Sequence, residues 1–292
     1  MSTQLLIAAL VAGFVYALIA LGLNLIYGTM RLLNVAHGEV VMIGAYVAYW
    51  GISLLSVGPL VSALVAIPLA AAFGALIYVG IFRKAMQSAE FTERIEGNSL
   101  LVFFGVSVII QNVTSLLFTP NQRGYRYQDE IVQFLGASVP ANKLIVLAIA
   151  AAVCAGAVLF FRLSRLGLAI KALIQQREAA ALVGIPLARI ELTSLCLGFA
   201  VAGLAGVLVS MTEEISPFMG FPLTVTAFVV VILGGLGNVL GSLIGGLLLG
   251  VLETFGVALT APSYRSIMIY AVLIAVLLLR PQGLLGAGRA RT

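Results

Sequence analysis

Few residues of this 292-residue chain could do chemistry: 16 Lys and Arg, 11 Asp and Glu, one histidine and two cysteines. No Ser–His–Asp or Cys–His arrangement can be argued from His37, so no catalytic residue is assigned. Cys154 and Cys196 each lie inside a long apolar run. A disulfide framework needs more cysteines and a metal site needs clustered ligands, so both read as inert buried thiols and no metal is expected. No glycine-rich loop ends in Gly-Lys-Ser/Thr, which leaves the chain without a phosphate-binding loop of its own. The acids within apolar sequence are Glu39 and Glu253. A proton- or sodium-driven carrier places ionisable groups at the membrane midplane, and their scarcity weighs against that chemistry.

Polar residues gather instead at two interruptions of apolar sequence. In the first, Asn24-Leu-Ile-Tyr-Gly-Thr-Met-Arg-Leu-Leu-Asn-Val-Ala-His-Gly-Glu39, Asn34 is placed to cap the helix that follows. Glu39 then falls in its early turns, where the positive helix end favours an acid. Arg31 and Glu39 could pair. The second, Gly234-Gly235-Leu236-Gly237-Asn238, splits the stretch 221–252 into a pair of short helices of about three to four turns each. Both interruptions carry an Asn-Val pair, Asn34-Val35 and Asn238-Val239, with a glycine shortly after. Broken helices in both halves of a transporter commonly flank the solute, their free amides facing a carboxylate. Asn34, His37, Glu39, Gly235, Gly237 and Asn238 are therefore the candidate translocation residues. The alternative for the first interruption is an interfacial loop with ordinary caps.

The stretch 165–186 is of another kind. Its Ala, Leu, Gln and Glu favour helix, and Gly184 followed by Pro186 stops it. Lys171, Gln175 and Glu178 mark one polar face. The helix is too short and too charged to cross a membrane. It reads either as a helix lying among lipid headgroups or as a docking helix that enters a groove on a soluble partner.

The setting for these elements is hydrocarbon. The chain is 62% apolar and 9% charged, with a mean hydropathy of +1.15, where a soluble domain carries about 25% charged residues. Soluble enzyme, disordered regulator and nucleic-acid binder are disfavoured together. The net charge of +5 reads as Lys and Arg held in cytoplasmic loops. Candidate spans, each near the ~20 residues a crossing needs, are 4–25, 37–55, 60–82, 99–118, 143–163, 190–211 and 266–280. No Lys or Arg precedes 4–25, and it is too long for a signal sequence, so it reads as a retained span. Segments 83–98 and 162–191 and the tail with Arg280, Arg289 and Arg291 are basic and belong in the cytoplasm; loop 212–220, with Glu213 and Glu214, belongs outside, as does 119–142 by alternation. The N-terminus is then outside and the C-terminus cytoplasmic, with Tyr46, Tyr49 and Trp50 at the outer interface. Small residues form ridges at Gly198, Ala202, Gly206 and Ser210, at Gly237, Gly241 and Gly245, and at Gly246 and Gly250; they either pack helices closely or let thin faces slide. The expected fold is an all-α polytopic membrane protein, one domain over 1–292, with about eight to nine transmembrane or half-membrane helices.

Several blocks resemble a known family. Arg177-Glu-Ala-Ala-Ala-Leu-Val-Gly-Ile185, followed by Phe199-Ala-Val-Ala-Gly-Leu-Ala-Gly206, is similar to the coupling-helix region of ABC importer permeases for branched-chain amino acids. Tyr16-Ala-Leu-Ile-Ala-Leu-Gly-Leu-Asn-Leu-Ile-Tyr-Gly28, Asn34-Val-Ala-His-Gly-Glu-Val-Val-Met-Ile-Gly-Ala-Tyr46 and Leu233-Gly-Gly-Leu-Gly-Asn-Val-Leu-Gly-Ser-Leu-Ile-Gly-Gly246 resemble the LivH-type subunit. The resemblance covers essentially the whole chain, with the blocks in the family's order. It implies the ABC importer permease fold in a bacterial inner membrane, paired with a homologous second permease subunit. It further implies two cytoplasmic ATPases that bind ATP and Mg, so that this chain holds no cofactor and is not itself an enzyme. A periplasmic or extracellular amino-acid-binding protein would deliver leucine, isoleucine or valine. In the coupling region 165–186, Arg177 and Glu178 would make polar contacts to an ATPase, and Ala179, Ala180 and Gly184 would fit its groove. Related permeases carry urea or short amides, and a stand-alone secondary carrier is the rival outside the family.

Overall fold

The computed structural model describes residues 2–280 and 283–285; Arg289 and Arg291 of the tail lie outside the described residues. In chain order the elements are α1 (Ser2–Met30), α2 (His37–Leu55), α3 (Pro59–Ile77), a π-helical turn (Tyr78–Phe82) running into α4 (Arg83–Ala85), α5 (Ala89–Glu93) and α6 (Ile95–Phe118). A small hairpin follows, β1 (Ile131–Phe134) with β2 (Ala137–Pro140), then α7 (Ala141–Leu163), α8 (Arg165–Gln175), α9 (Arg177–Leu182), α10 (Leu187–Ser210), α11 (Gly220–Gly234), α12 (Val239–Leu259) and α13 (Arg265–Leu279). Among the described residues eight helical stretches are long and apolar enough to cross a membrane. The expected all-α polytopic architecture is what the chain adopts.

α1 and α10 form the centre, crossing where Gly22 and Gly198 meet backbone to backbone. A Cβ on either would run into the other's carbonyl, which is how helices approach closely when lipid offers no hydrophobic drive. The small ridges on α12 divide the work. Gly246 and Gly250 lie on Ala17 and Gly13 of α1, while Gly241 and Gly245 face Gly234 and Val230 of α11. α2 crosses α10 at Gly44 and Gly206, and α3 packs on it through Ala66, Ala70 and Gly74. α6, α7 and α13 form the outer wall, with Leu101, Ile109, Leu116, Leu159 and Leu278 exposed, as side chains facing acyl tails would be.

Several boundaries differ from the sequence expectation. α1 runs five residues past Leu25 to Met30, because nothing in Ile26-Tyr-Gly-Thr-Met breaks a helix that still has neighbours to pack on. The stretch 221–252 breaks where expected, but its halves are unequal. α11 has 15 residues, about 22 Å at 1.5 Å each, while α12 has 21 and crosses. The segment 165–186 is two helices, since Gln176 turns extended at φ −156 and ψ 108. Glu178 therefore does not share a helical face with Lys171 and Gln175. Loop 119–142 contains the β1–β2 hairpin, with Ile131 paired to Pro140 and Phe134 to Ala137. Its Leu135-Gly136 turn has positive φ at both positions, the geometry that matches strand twist. Tyr46 does not face lipid: it is buried and stacked on Phe118 at 4.8 Å between centroids.

Candidate functional site

Three polar assemblies are built into this apolar bundle. The first surrounds the start of α2. After Met30, residues 31–36 leave the helix and turn back along it, so that His37 Nε2 lies 3.0 Å from the Ile19 carbonyl, eleven residues and about 16 Å up α1. α2 thus begins deep in the bundle. Its N-cap is Ala36, without a side-chain cap. Asn34 is not the cap: the return path points its amide elsewhere, and neither Asn34 Oδ1 nor Nδ2 has a hydrogen-bond partner. Arg31 and Glu39 do not pair either. Arg31 is exposed at the turn with φ 55, whereas Glu39 is wholly buried, one oxygen accepting from the Ser107 hydroxyl at 3.0 Å. Its other oxygen has no donor and lies where a Cβ on Gly220 would fall. The first turns of α2 and α11 meet here. Gly38 N–H donates to Thr224 Oγ1 at 2.8 Å, and that hydroxyl is 3.0 Å from the Val35 carbonyl. Each buried polar group left unpaired costs about 1–3 kcal/mol, so Asn34, His37 Nδ1 and Glu39 Oε2 form a polar foothold that packing alone does not account for.

The second assembly is the turn 235–238. Gly235 and Gly237 take φ 104 and φ 79, conformations that a side chain would strain. Asn24 of α1 holds the turn. Its Oδ1 accepts from Gly237 N–H at 2.6 Å, and its Nδ2 donates to the Asn238 carbonyl and to Ser242 Oγ, both at 2.8 Å. Asn238 caps α12 through Gly241 N–H at 3.1 Å. The last carbonyls of α11 are met by Leu284 and Leu285 N–H, at 2.8 and 3.3 Å. Sequence reasoning assigned no role to Asn24. A polar side chain inside an apolar span must find a partner, and that signal was there to read. Two assemblies do not make one cluster. Gly22, against His37, and Asn24, against the turn, are two residues and about 200° apart around α1, so the two breaks sit on different faces of that helix.

The third is the α8–α9 elbow at the N-terminal end of α10. Arg177 makes an ion pair with Glu191 of α10, whose other oxygen accepts from Tyr78 hydroxyl at 2.9 Å. The Glu191 side chain is only 3% exposed, so this triad anchors α9 to the spans. Glu178 is exposed, Ala179 half-buried and Ala180 buried against the bundle; Gly184 turns the chain at φ 83 with open space around it. Two residues not singled out from sequence dominate the tip, Leu182 at 88% and Val183 at 75% exposure.

At the opposite end of α10, loops are stitched to the bundle. Arg123 exchanges backbone hydrogen bonds with Ile215 at 2.8 and 2.7 Å and lies over the rings of Tyr49 and Trp50. Ser210 hydroxyl already donates to the Val207 carbonyl, so Tyr125, 2.7 Å away, donates to Ser210. Burial pushes the Tyr125 phenol up to about 12, and it stays protonated at any physiological pH.

The comparisons agree with one another. A family model described as "Branched-chain amino acid transport system / permease component" matches residues 5–277. The high-affinity branched-chain amino acid transport system permease protein BraD of Pseudomonas aeruginosa is 33% identical, over 97% of this chain and 95% of its own. The corresponding LivH of Escherichia coli is 32% identical, over 94% and 92%. The LivM permease of the same bacterium is 28% identical over 93% of this chain and 68% of its own length. No solved structure matches.

Proposed function

The chain belongs to the family of branched-chain amino acid transport system permease components, and on that premise we propose that it is one membrane subunit of an ATP-driven importer for leucine, isoleucine and valine. A homologous permease stands beside it; the likeness to both LivH and LivM supports such a pair. Two cytoplasmic ATPases supply the nucleotide chemistry, with ATP and Mg bound there, and an external binding protein delivers the amino acid. The chain lies in a bacterial inner membrane with its N-terminus outside and its C-terminus cytoplasmic, an orientation supported by Arg162, Arg165, Lys171, Arg177 and Arg189 clustering at the α8–α9 end.

The observation that carries the reading is the elbow: an apolar Leu182–Val183 tip on a helix pinned to a central span through Arg177 and Glu191. A partner groove that takes this tip pushes α9, and the ion pair passes the push to α10, which lies against both α1 and α2. Glu178 is the free polar contact to the ATPase, Arg177 serves as the lever's anchor, and Ala179, Ala180 and Gly184 keep the tip slim. Asn34, His37 and Glu39 line the route inward, and the turn at Gly235, Gly237 and Asn238, on another face of α1, holds α12 beside it.

Reconstitution with the co-purifying subunits tests this. Leu182→Glu with Val183→Glu should reduce ATP-dependent leucine uptake at least tenfold while leaving the spans folded, because both side chains are largely exposed. Uptake that persists unchanged, or that runs without ATP, would overturn the proposal.

A further inference from the structure

The elbow leaves α8 without a role. The break at Gln176 hands the apolar tip to α9, while Lys171 and Gln175 stay on α8, four residues apart and on one face. Both line a cavity of about 530 Å³ between α8, the end of α7 and the turn that opens α12, a volume within the ~300–1,000 Å³ of small-molecule pockets. α7 ends at Leu163 and α12 begins at Val239, so the cavity lies where two spans leave the hydrocarbon. Arg162, in the last turn of α7, lines it as well. Among the described residues neither Arg162 nor Lys171 has an ion-pair or hydrogen-bond partner, and no acid lines the cavity. The first turn of α12 adds the positive end of a helix. The rest of the wall is apolar. Phe161 is buried there, while Leu236 and Leu240 are 48% and 38% exposed. From Leu240 an exposed apolar row continues along α12 through Ile244, Leu248 and Val251, a spacing that keeps to one face.

We propose that this cavity seats the headgroup phosphate of an anionic phospholipid whose chains run along the α12 row. Arg162 and Lys171 pair with the phosphate, and Gln175 hydrogen-bonds a headgroup hydroxyl. Two uncompensated cations select an anion. They also repel the ammonium of a zwitterionic headgroup, for which the cavity offers no carboxylate. A soluble anion would leave Leu236 and Leu240 against water, whereas a lipid covers them. Arg162 is exposed and Lys171 half-buried, as this occupant requires: long basic side chains at span ends keep their stems on apolar surface and their charges among the headgroups. Basic pockets between spans at this level hold anionic headgroups. The proposal rests on the spans alone; neither the solute nor the ATPases enter it.

The test is native mass spectrometry of the transporter with its co-purifying subunits, titrated in detergent with dioleoyl phosphatidylglycerol or dioleoyl phosphatidylethanolamine. One phosphatidylglycerol per copy of this chain should be retained at least tenfold more tightly than the ethanolamine lipid. Arg162→Gln with Lys171→Gln should erase that preference, and Arg162→Lys with Lys171→Arg should keep it. Leu240→Asp should erase it independently, since it sets a like charge against the phosphate at a helix start that tolerates an acid. Arg83→Gln with Lys84→Gln, an exposed basic pair outside the cavity, should leave it unchanged. Equal retention of the two lipids, equal loss from both basic pairs, or displacement by excess inorganic phosphate overturns the proposal. Retention that appears only once the homologous permease is stripped away would make the cavity a subunit interface and overturn it too.

Discussion

At the scale of the residue, Asn24 matters out of proportion to its size. It ties α1 to the turn between α11 and α12, using its acceptor for Gly237 N–H and its donors for Asn238 and Ser242. Removing it strands those groups where lipid and packed helices offer no substitute, at about 1–3 kcal/mol for each buried group left unmet. Asn24→Ala should therefore lower the thermal midpoint of the purified protein by several degrees and abolish uptake. Asn24→Asp discriminates further. It keeps the acceptor for Gly237 but sets an oxygen against the Asn238 carbonyl, so it should be at least as damaging as alanine. An aspartate variant more stable than the alanine one, measured by thermal unfolding in detergent, would show that the amide donors carry little. Glu39 illustrates the limit of reading residues singly. Its place in the first turn of α2 was legible from helix electrostatics, but its partner Ser107 lies 68 residues away, and no local rule selects it.

At the scale of the element, the close approach of α2 to α11 is the arrangement most sensitive to one added atom. A Cβ on Gly38 would overlap the Gly220 carbonyl and Thr224 Oγ1, backbone and a committed hydroxyl that cannot swing away. Gly38→Ala should cost about 1–3 kcal/mol, the range for overpacking, and should slow transport. Gly156→Ala in α7 is the control. It has nothing within 4 Å of the new atom, and alanine favours a helix interior by about 0.5–1 kcal/mol, so its midpoint should stay or rise. Midpoints that fall equally would deny the close approach. What sequence foretold about the elements follows the same division between local and distant causes. The break at 235–238 was legible because only glycine tolerates its backbone, and the Gly184–Pro186 stop was legible for like reasons. The split at Gln176 was not, because Gln-Gln-Arg is good helix sequence. The helix breaks where Arg177 reaches Glu191, fourteen residues on, a tertiary demand that overrides propensity. The depth at which α2 begins was hidden too. Six residues of unremarkable loop decide it, and they are directed by Ile19, Gly22 and Thr224 rather than by themselves.

At the scale of the whole molecule, α10 joins two ends of opposite character. One end carries Arg177, Arg189 and the apolar Leu182–Val183 tip; the other carries Glu213, Glu214 and the loop stitched down by Arg123. Basic residues are retained on the cytoplasmic side of short loops, so the importer reading requires the tip inside and the acidic loop outside, and this can be measured apart from any transport. Cysteines placed singly at Glu214 and Leu182 should answer differently to a membrane-impermeant maleimide. In intact cells Glu214→Cys should label and Leu182→Cys should not; in inside-out vesicles the two should exchange roles. The unmodified chain is its own blank, since Cys154 is buried in α7 and Cys196 lies within the span of α10. The ATPases add a second dimension. Leu182→Cys in inside-out vesicles should label slowly while they are bound and at least tenfold faster once they are stripped, because a tip seated in a groove is shielded from reagent. Labelling of Leu182→Cys from outside would invert the molecule and remove the surface on which coupling depends. Labelling from inside at one rate, with or without the ATPases, would keep the orientation but move the coupling contact elsewhere on the cytoplasmic face.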